Sequence, residues 1–168
     1  GCTVVSPGCT NCYAMRLAGT RMKHHPSRAG LTIDTKAGPV WNGEVRRNER
    51  VLQEVLRWRT PRRIFWNAHG DMFHDSVPDS WIDAAFAVMA LTPQHIHMVL
   101  TKRAARMREY LSNPKLTRRL AILLFDMNCA GRASFASIFA ALGDREREED
   151  PEFVPLPLPN VWLGVSVE

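Results

Sequence analysis

Residues 63–103 read RIFWNAHGDMFHDSVPDSWIDAAFAVMALTPQHIHMVLTKR, and their pattern decides the fold. Two short apolar runs, Ile64-Phe65-Trp66 and Ile96 to Leu100, have strand length and are bounded by turn-forming residues. Between them Ile82, Ala85, Phe86, Met89 and Ala90 recur at i, i+3, i+4, i+7 and i+8, which is the period of a helix. Pro78-Asp79-Ser80 announces that helix, Asp83 follows Ser80 at capping-box spacing, and Pro93 ends it. Strand, helix, strand is a βαβ unit, and such units build parallel sheets.

Working outward, Tyr13 to Met22 has helical character, with Ala14, Leu17, Ala18 and Met22 able to share a face. His24 to Gly38 contains Pro26, Gly30 and Gly38 and reads as an irregular connection. Glu44 to Trp58 carries Val51, Leu52, Val55 and Leu56 on one stripe and predicts a helix stopped by Pro61. Downstream, helices are expected at Arg103–Leu111, Leu116–Met127 and Ser134–Leu142. The charged run Asp144–Asp150 and proline-spaced Pro151–Pro159 form an exposed connection before a last strand, Val161–Val167. The fold class is therefore α/β. The chain opens almost on its first cysteine and stops at the end of an apolar strand, so it reads as a partial parallel (β/α) barrel truncated at both ends. A complete barrel needs roughly 250 residues.

At 168 residues, 45% apolar and 23% charged, the chain has the composition of one globular domain with a real core. No apolar run approaches the roughly 18 residues of a membrane span, and no secretory signal is visible. The expected setting is a reducing cytoplasm, where clustered cysteines bind metal or act in redox chemistry more often than they pair. The net charge of +5 permits an anionic partner such as nucleic acid without requiring one. The pairs Arg46-Arg47, Arg62-Arg63, Lys102-Arg103 and Arg118-Arg119 read mostly as a solvated face.

Cys2, Cys9 and Cys12 form a C-x6-C-x2-C pattern in GCTVVSPGCTNCYA, with Tyr13 directly after the last thiol. Three soft ligands on one short loop can hold a metal centre while leaving one coordination position open, the arrangement of a reactive centre. Thiolates suit an iron–sulfur cluster because they are soft donors. Zinc is the rival, its fourth ligand coming from His24, His25 or Cys129, and it would make the chain a zinc-stabilised nucleic-acid-binding module. Cys129 otherwise reads as a packed thiol in an apolar stretch.

In parallel barrels the working residues follow the C-terminal ends of the strands. That rule nominates Asn67, His69, Gly70, Asp71 and His74 after the first strand. It nominates Thr101, Lys102 and Arg103 after the second, and Ser166 and Glu168 at the end of the third. Each has an ordinary alternative. Asp71 could cap a turn, Lys102 and Arg103 could form salt bridges or start a helix, and the two histidines could be structural.

The cysteine loop resembles the cluster loop of the radical SAM superfamily. More closely, the chain resembles the phage gene product thirty-seven/sixty-eight family. The shared features are Ser6 to Ala14 (SPGCTNCYA), Asp71-Met72-Phe73-His74, Leu100-Thr101-Lys102-Arg103 and Trp162 to Glu168 (WLGVSVE), in that order. Residues 116–158 match nothing in that pattern and read as an insertion and exposed linker within a single fragment spanning 1–168. The first gap of six and the aromatic after the last cysteine, not before it, depart from the commonest radical SAM motif. The resemblance implies a radical SAM barrel in which Cys2, Cys9 and Cys12 ligate a [4Fe-4S] cluster and the fourth iron binds S-adenosylmethionine. Reductive cleavage would give a 5′-deoxyadenosyl radical, with a flavodoxin- or ferredoxin-like electron donor. It further implies that Tyr13 contacts the adenine, Gly70-Asp71 the cofactor ammonium, Lys102 and Arg103 the cofactor carboxylate or a substrate phosphate, and Ser166 and Glu168 the ribose. The resemblance also implies a bacterial or phage-infected host cytoplasm, and with it nucleic acid or a nucleotide as the expected substrate; no catalytic residue is assigned.

Overall fold

The computed structural model describes residues 1–131 and 156–166. Its elements in chain order are a 3-10 turn at Pro7–Asn11, α1 (Tyr13–Gly19), β1 (Thr32–Thr35), β2 (Gly38–Trp41), α2 (Glu49–Arg57), β3 (Arg63–Trp66), α3 (Asp79–Ala90), β4 (Ile96–Thr101), α4 (Ala104–Leu111), α5 (Leu116–Cys129) and β5 (Val161–Val165). Strands β3, β4 and β5 form a parallel sheet in sequential order, with Trp66 beside Val99 and Thr101 beside Val165 at its C-terminal edge. The molecule is thus mixed α/β. Among the described residues the parallel sheet has three strands and does not close into a barrel.

Alternation sorts the strand residues between two faces. Trp66, His97, Val99 and Thr101 are buried, while Phe65, Leu100 and Trp162 stand exposed on the opposite side. The inner face packs on the main core. There α3 contributes Ile82, Phe86 and Met89 and α5 contributes Leu116, Leu120 and Leu124. Helix α3 is apolar almost all round because α2 and α5 flank it as well as the sheet. Residues 116–129, read from the sequence as the start of an insertion, therefore belong to the helical layer of the core. The predicted helix Ser134–Leu142, the run Asp144–Asp150 and residues 167–168 lie outside the described residues.

Four local expectations change. The connection His24–Gly38 is not wholly irregular, because the antiparallel pair β1–β2 begins within it, with Thr32 opposite Trp41. The helix expected from Glu44 begins at Glu49. Ser80 and Asp83 form no capping box, since Pro78 holds the cap position and Asp83 lies within the helix. Its carboxylate instead accepts hydrogen bonds from Tyr110 Oη (2.7 Å) and from Arg119 Nε and Nη2 (3.0 Å each). Cys129 is exposed at the end of α5, not packed. The reason is helical period: Leu120, Leu124 and Met127 occupy the buried stripe and leave Cys129 off it.

A second, smaller core joins Ala14, Met15 and Ala18 of α1 to Leu31 and Trp41, with Cys2 and Cys12 packed against it. The β1–β2 hairpin thus braces the cysteine loop from one side. The strand ends hold it from the other. Among the described residues, no helix is long and apolar enough to cross a membrane.

Candidate functional site

The three cysteines reach the site by different local structures. Cys2 lies on a segment without regular secondary structure. Ser6 in β conformation and Pro7 at the first position start the 3-10 turn, in which Cys9 N donates to Ser6 O (3.0 Å). Cys12 N donates to Cys9 O (3.2 Å), and Cys12 then occupies the cap position of α1. All three thiols are free and partly buried.

They line one cavity of ≈ 400 Å³. The residues after the strands line it too: Asn67 and Gly70-Asp71 after β3, Thr101-Lys102-Arg103 at the end of β4, and Ser166 after β5. Tyr13 joins them, 63% exposed, with its hydroxyl donating to Ala68 O (3.2 Å) and its ring edge-on to His69. Phe65, Leu100, Val5 and Trp41 supply apolar wall. Of the positions nominated from the sequence, His69 and His74 do not line this cavity, and Glu168 lies outside the described residues.

A buried ion pair holds the strand-end loops together. Asp71 Oδ1 accepts from Phe73 N (2.9 Å) and Thr101 Oγ1 (2.7 Å). Its Oδ2 accepts from Arg103 Nη1 (2.9 Å) and Lys102 N (3.3 Å). These four donors fill the acceptor sites of a carboxylate, so Asp71 ties the loop after β3 to the end of β4. The turn-capping and salt-bridge alternatives thus describe the contacts of Asp71 and Arg103. Arg103 Nη2 also donates to Thr3 Oγ1 (2.6 Å), and Nη1 stands 4.0 Å from Cys2 Sγ. Burial opposes the Arg103 charge, but Asp71 and Cys2 outweigh it and raise the guanidinium pKa further.

The thiols differ electrostatically. Burial pushes the Cys2 thiol up, with Arg103 opposing. At Cys9 the effect of burial is overcome by the Ser6 hydroxyl (3.4 Å), nearby backbone groups and the Lys102 charge, so its pKa is lowered. Lys102 Nζ itself donates to Ser6 Oγ (3.0 Å). Gly70 sits where an added Cβ would lie 2.9 Å from Gly1 O, so the loop after β3 can approach the cysteine segment only without a side chain there.

Thr3, Ser6, Phe65, Leu100 and Trp41 are site residues that the sequence reading missed. Thr3 and Ser6 lie inside the cysteine loop, but nothing in the sequence sets them apart from its other residues. Thr3 also meets His74 Nε2 (3.2 Å), whose Nδ1 accepts from Ser76 N (3.1 Å); both ring nitrogens of His74 thus have structural partners.

Among the described residues, no group of three His, Cys, Asp or Glu side chains is placed to hold a single metal ion. His24 and His25 are exposed, and neither they nor Cys129 line the cysteine cavity. No curated protein and no solved structure matches the chain. Over residues 1–168 the chain belongs to the family described as protein of unknown function (DUF5131).

Proposed function

We propose that the chain is the cluster-bearing part of a radical SAM-type enzyme, with Cys2, Cys9 and Cys12 as ligands of a [4Fe-4S] cluster and S-adenosylmethionine at the open iron. One observation carries the reading: the three thiols share a cavity with the residues that follow three successive parallel strands. That is where a parallel (β/α) barrel keeps its working groups. The sequential strand order and the apolar sheet face left open by the helices, with Phe65, Leu100 and Trp162, suit a segment of such a barrel.

The chemistry supplied when both groups are bound is one-electron reductive cleavage of the sulfonium and hydrogen abstraction from a substrate. The protein's own residues set the stage for it. Cys2, Cys9 and Cys12 supply soft thiolate donors. Arg103 and Lys102 place positive charge beside Cys2 and Cys9, which favours thiolate and offsets the negative charge that three sulfurs concentrate. Asp71 acts as a positioning residue, because it fixes Arg103. Tyr13 stands at the rim, where its ring can cover an adenine. Ser166 offers a hydroxyl to a ribose. Phe65, Leu100 and Val5 supply apolar wall beside the thiols. An electron donor of flavodoxin or ferredoxin type and a nucleic acid or nucleotide substrate complete the reading.

Anaerobic reconstitution with iron and sulfide tests it. The expected product is brown, and the EPR spectrum of its reduced form shifts on addition of S-adenosylmethionine. Replacing any one of the three cysteines by alanine removes the colour. A colourless protein holding one zinc ion per chain would overturn the proposal.

A further inference from the structure

A second cavity, ≈ 330 Å³, lies behind the first, and Phe65, Asn67, Ala68, Gly70 and Asp71 line both. Its wall carries three guanidinium groups, Arg28, Arg46 and Arg47, together with His69. Asp71 is the only acidic residue that lines it among the described residues, and Arg103 already neutralises that charge. Positive charge therefore stands in excess.

Two polar atoms in this wall are buried without a hydrogen-bond partner, Arg28 Nε and His69 Nδ1. A buried guanidinium N–H left unpaired costs on the order of 1–3 kcal/mol or more, so an acceptor is expected beside it. The loop that carries Arg28 is itself held in place. Arg46 Nη1 donates to Pro26 O and Nη2 to Ala29 O, both at 3.0 Å, clamping the chain on either side of Arg28. Arg47 is exposed and pairs with Glu49 at 2.6 Å, a solvent-facing ion pair that an incoming phosphate displaces at little cost. Val51, Leu52 and Trp81 give the same cavity an apolar wall for the uncharged part of a ligand.

We infer that this cavity binds a phosphate group, and that the phosphate belongs to the substrate whose reactive part enters the adjoining cysteine cavity. Arg28 Nη1 is taken by Ser27 O at 3.0 Å, so its Nε brings the unpaired N–H, while Arg46 and Arg47 add positive charge to the same wall. A phosphate, with its charge and several acceptor oxygens, suits such a wall better than a single carboxylate does. Attribution to the substrate rests on the proposed radical chemistry; the binding itself does not.

The test uses the protein without any cluster and inorganic pyrophosphate as probe, followed by calorimetric titration at fixed ionic strength. Saturable binding is expected. Arg47→Gln and Arg28→Gln should each weaken it about tenfold or more, the loss of one charge-assisted hydrogen bond. Arg108→Gln removes the same charge from an exposed position on α4 away from the cavity and should leave the affinity within about twofold. Arg47 is exposed, so its variant reports on binding even if Arg28→Gln fails to fold. Non-saturable binding, equal weakening by Arg108→Gln, or tighter binding of citrate than of pyrophosphate would each overturn the inference. Pyrophosphate binding by a protein that never forms a cluster would leave this site standing and remove the radical reading, and the reverse pattern would do the opposite.

Discussion

At the level of single residues, Asp71 is the position on which the most depends. Part of this was legible: a Gly-Asp pair just past an apolar strand falls where parallel sheets keep polar working groups. What the sequence could not give was its partners. Thr101 and Arg103 lie thirty or so positions downstream, and only the βαβ crossover brings them alongside. The Asp71–Arg103 pair is buried on both sides, at 6% and 8% side-chain exposure. Breaking a buried pair leaves an uncompensated charge, which costs about 3–5 kcal/mol. Asp71→Asn should therefore destabilise the protein by about that amount in urea unfolding. Arg103→Gln on top of it should cost far less than it does alone, because the stranded charge is then removed. Simple additivity in that double-mutant cycle would show that the two side chains do not act as a unit. Thr3 and Ser6 were illegible for a related reason, since a threonine or serine beside a cysteine has many ordinary uses and only the contacts to Arg103 and Lys102 single these two out.

Among the elements, legibility followed apolar content and its period. Helix α3 and strand β4 were readable because buried apolar residues impose their period on the sequence, and β3 and β5, less buried, because each is a short apolar run bounded by turn residues. The β1–β2 hairpin was not. Thr32 to Thr35 buries almost nothing, Gly38 sits at φ 117°, and Pro39 lies in a strand, so the composition is that of a loop. The pair survives because it needs no ladder beyond itself and because Trp41 plugs into the small core with α1. Helix α3 carries the opposite lesson. Its Phe86 is 1% exposed and meets the Tyr110 ring at 5.5 Å, so it ties α3 to α4. Phe86→Ala should cost about 3–5 kcal/mol, the transfer and cavity cost of a large core aromatic. The denaturation midpoint checks this. A loss under about 1 kcal/mol would mean that α3 is not the packing centre of the helical layer.

For the molecule as a whole, the convergence of the cysteine loop with three strand ends was foreseeable from a general rule about parallel sheets. The basic cavity was not, because its arginines and His69 come from segments with no common motif. Stability as a whole should also respond to pH, through a chain of hydrogen bonds that crosses the core beneath the site. Trp66 Nε1 donates to His97 Nδ1 (2.9 Å), while His97 Nε2 meets Thr92 Oγ1 (3.0 Å), whose proton goes to Val88 O. That order fixes the neutral tautomer with hydrogen on Nε2 and leaves no acceptor for a second proton on Nδ1. Burial lowers the His97 pKa to about 4 from 6.5. The folded state thus binds this proton less readily than the unfolded state does. The corresponding stability is fully present above about pH 6.5 and is lost as pH falls through about 4, a total on the order of 3 kcal/mol. His69, His74 and His95, also lowered chiefly by burial, act in the same sense. His97→Gln isolates one contribution, since glutamine keeps an acceptor for Trp66 and a donor for Thr92 but does not titrate. Between pH 4 and 6.5 its unfolding free energy should fall less steeply than that of the parent chain, and the two curves should run parallel above pH 7. Parallel curves across the whole range would mean that His97 is not held neutral by the fold.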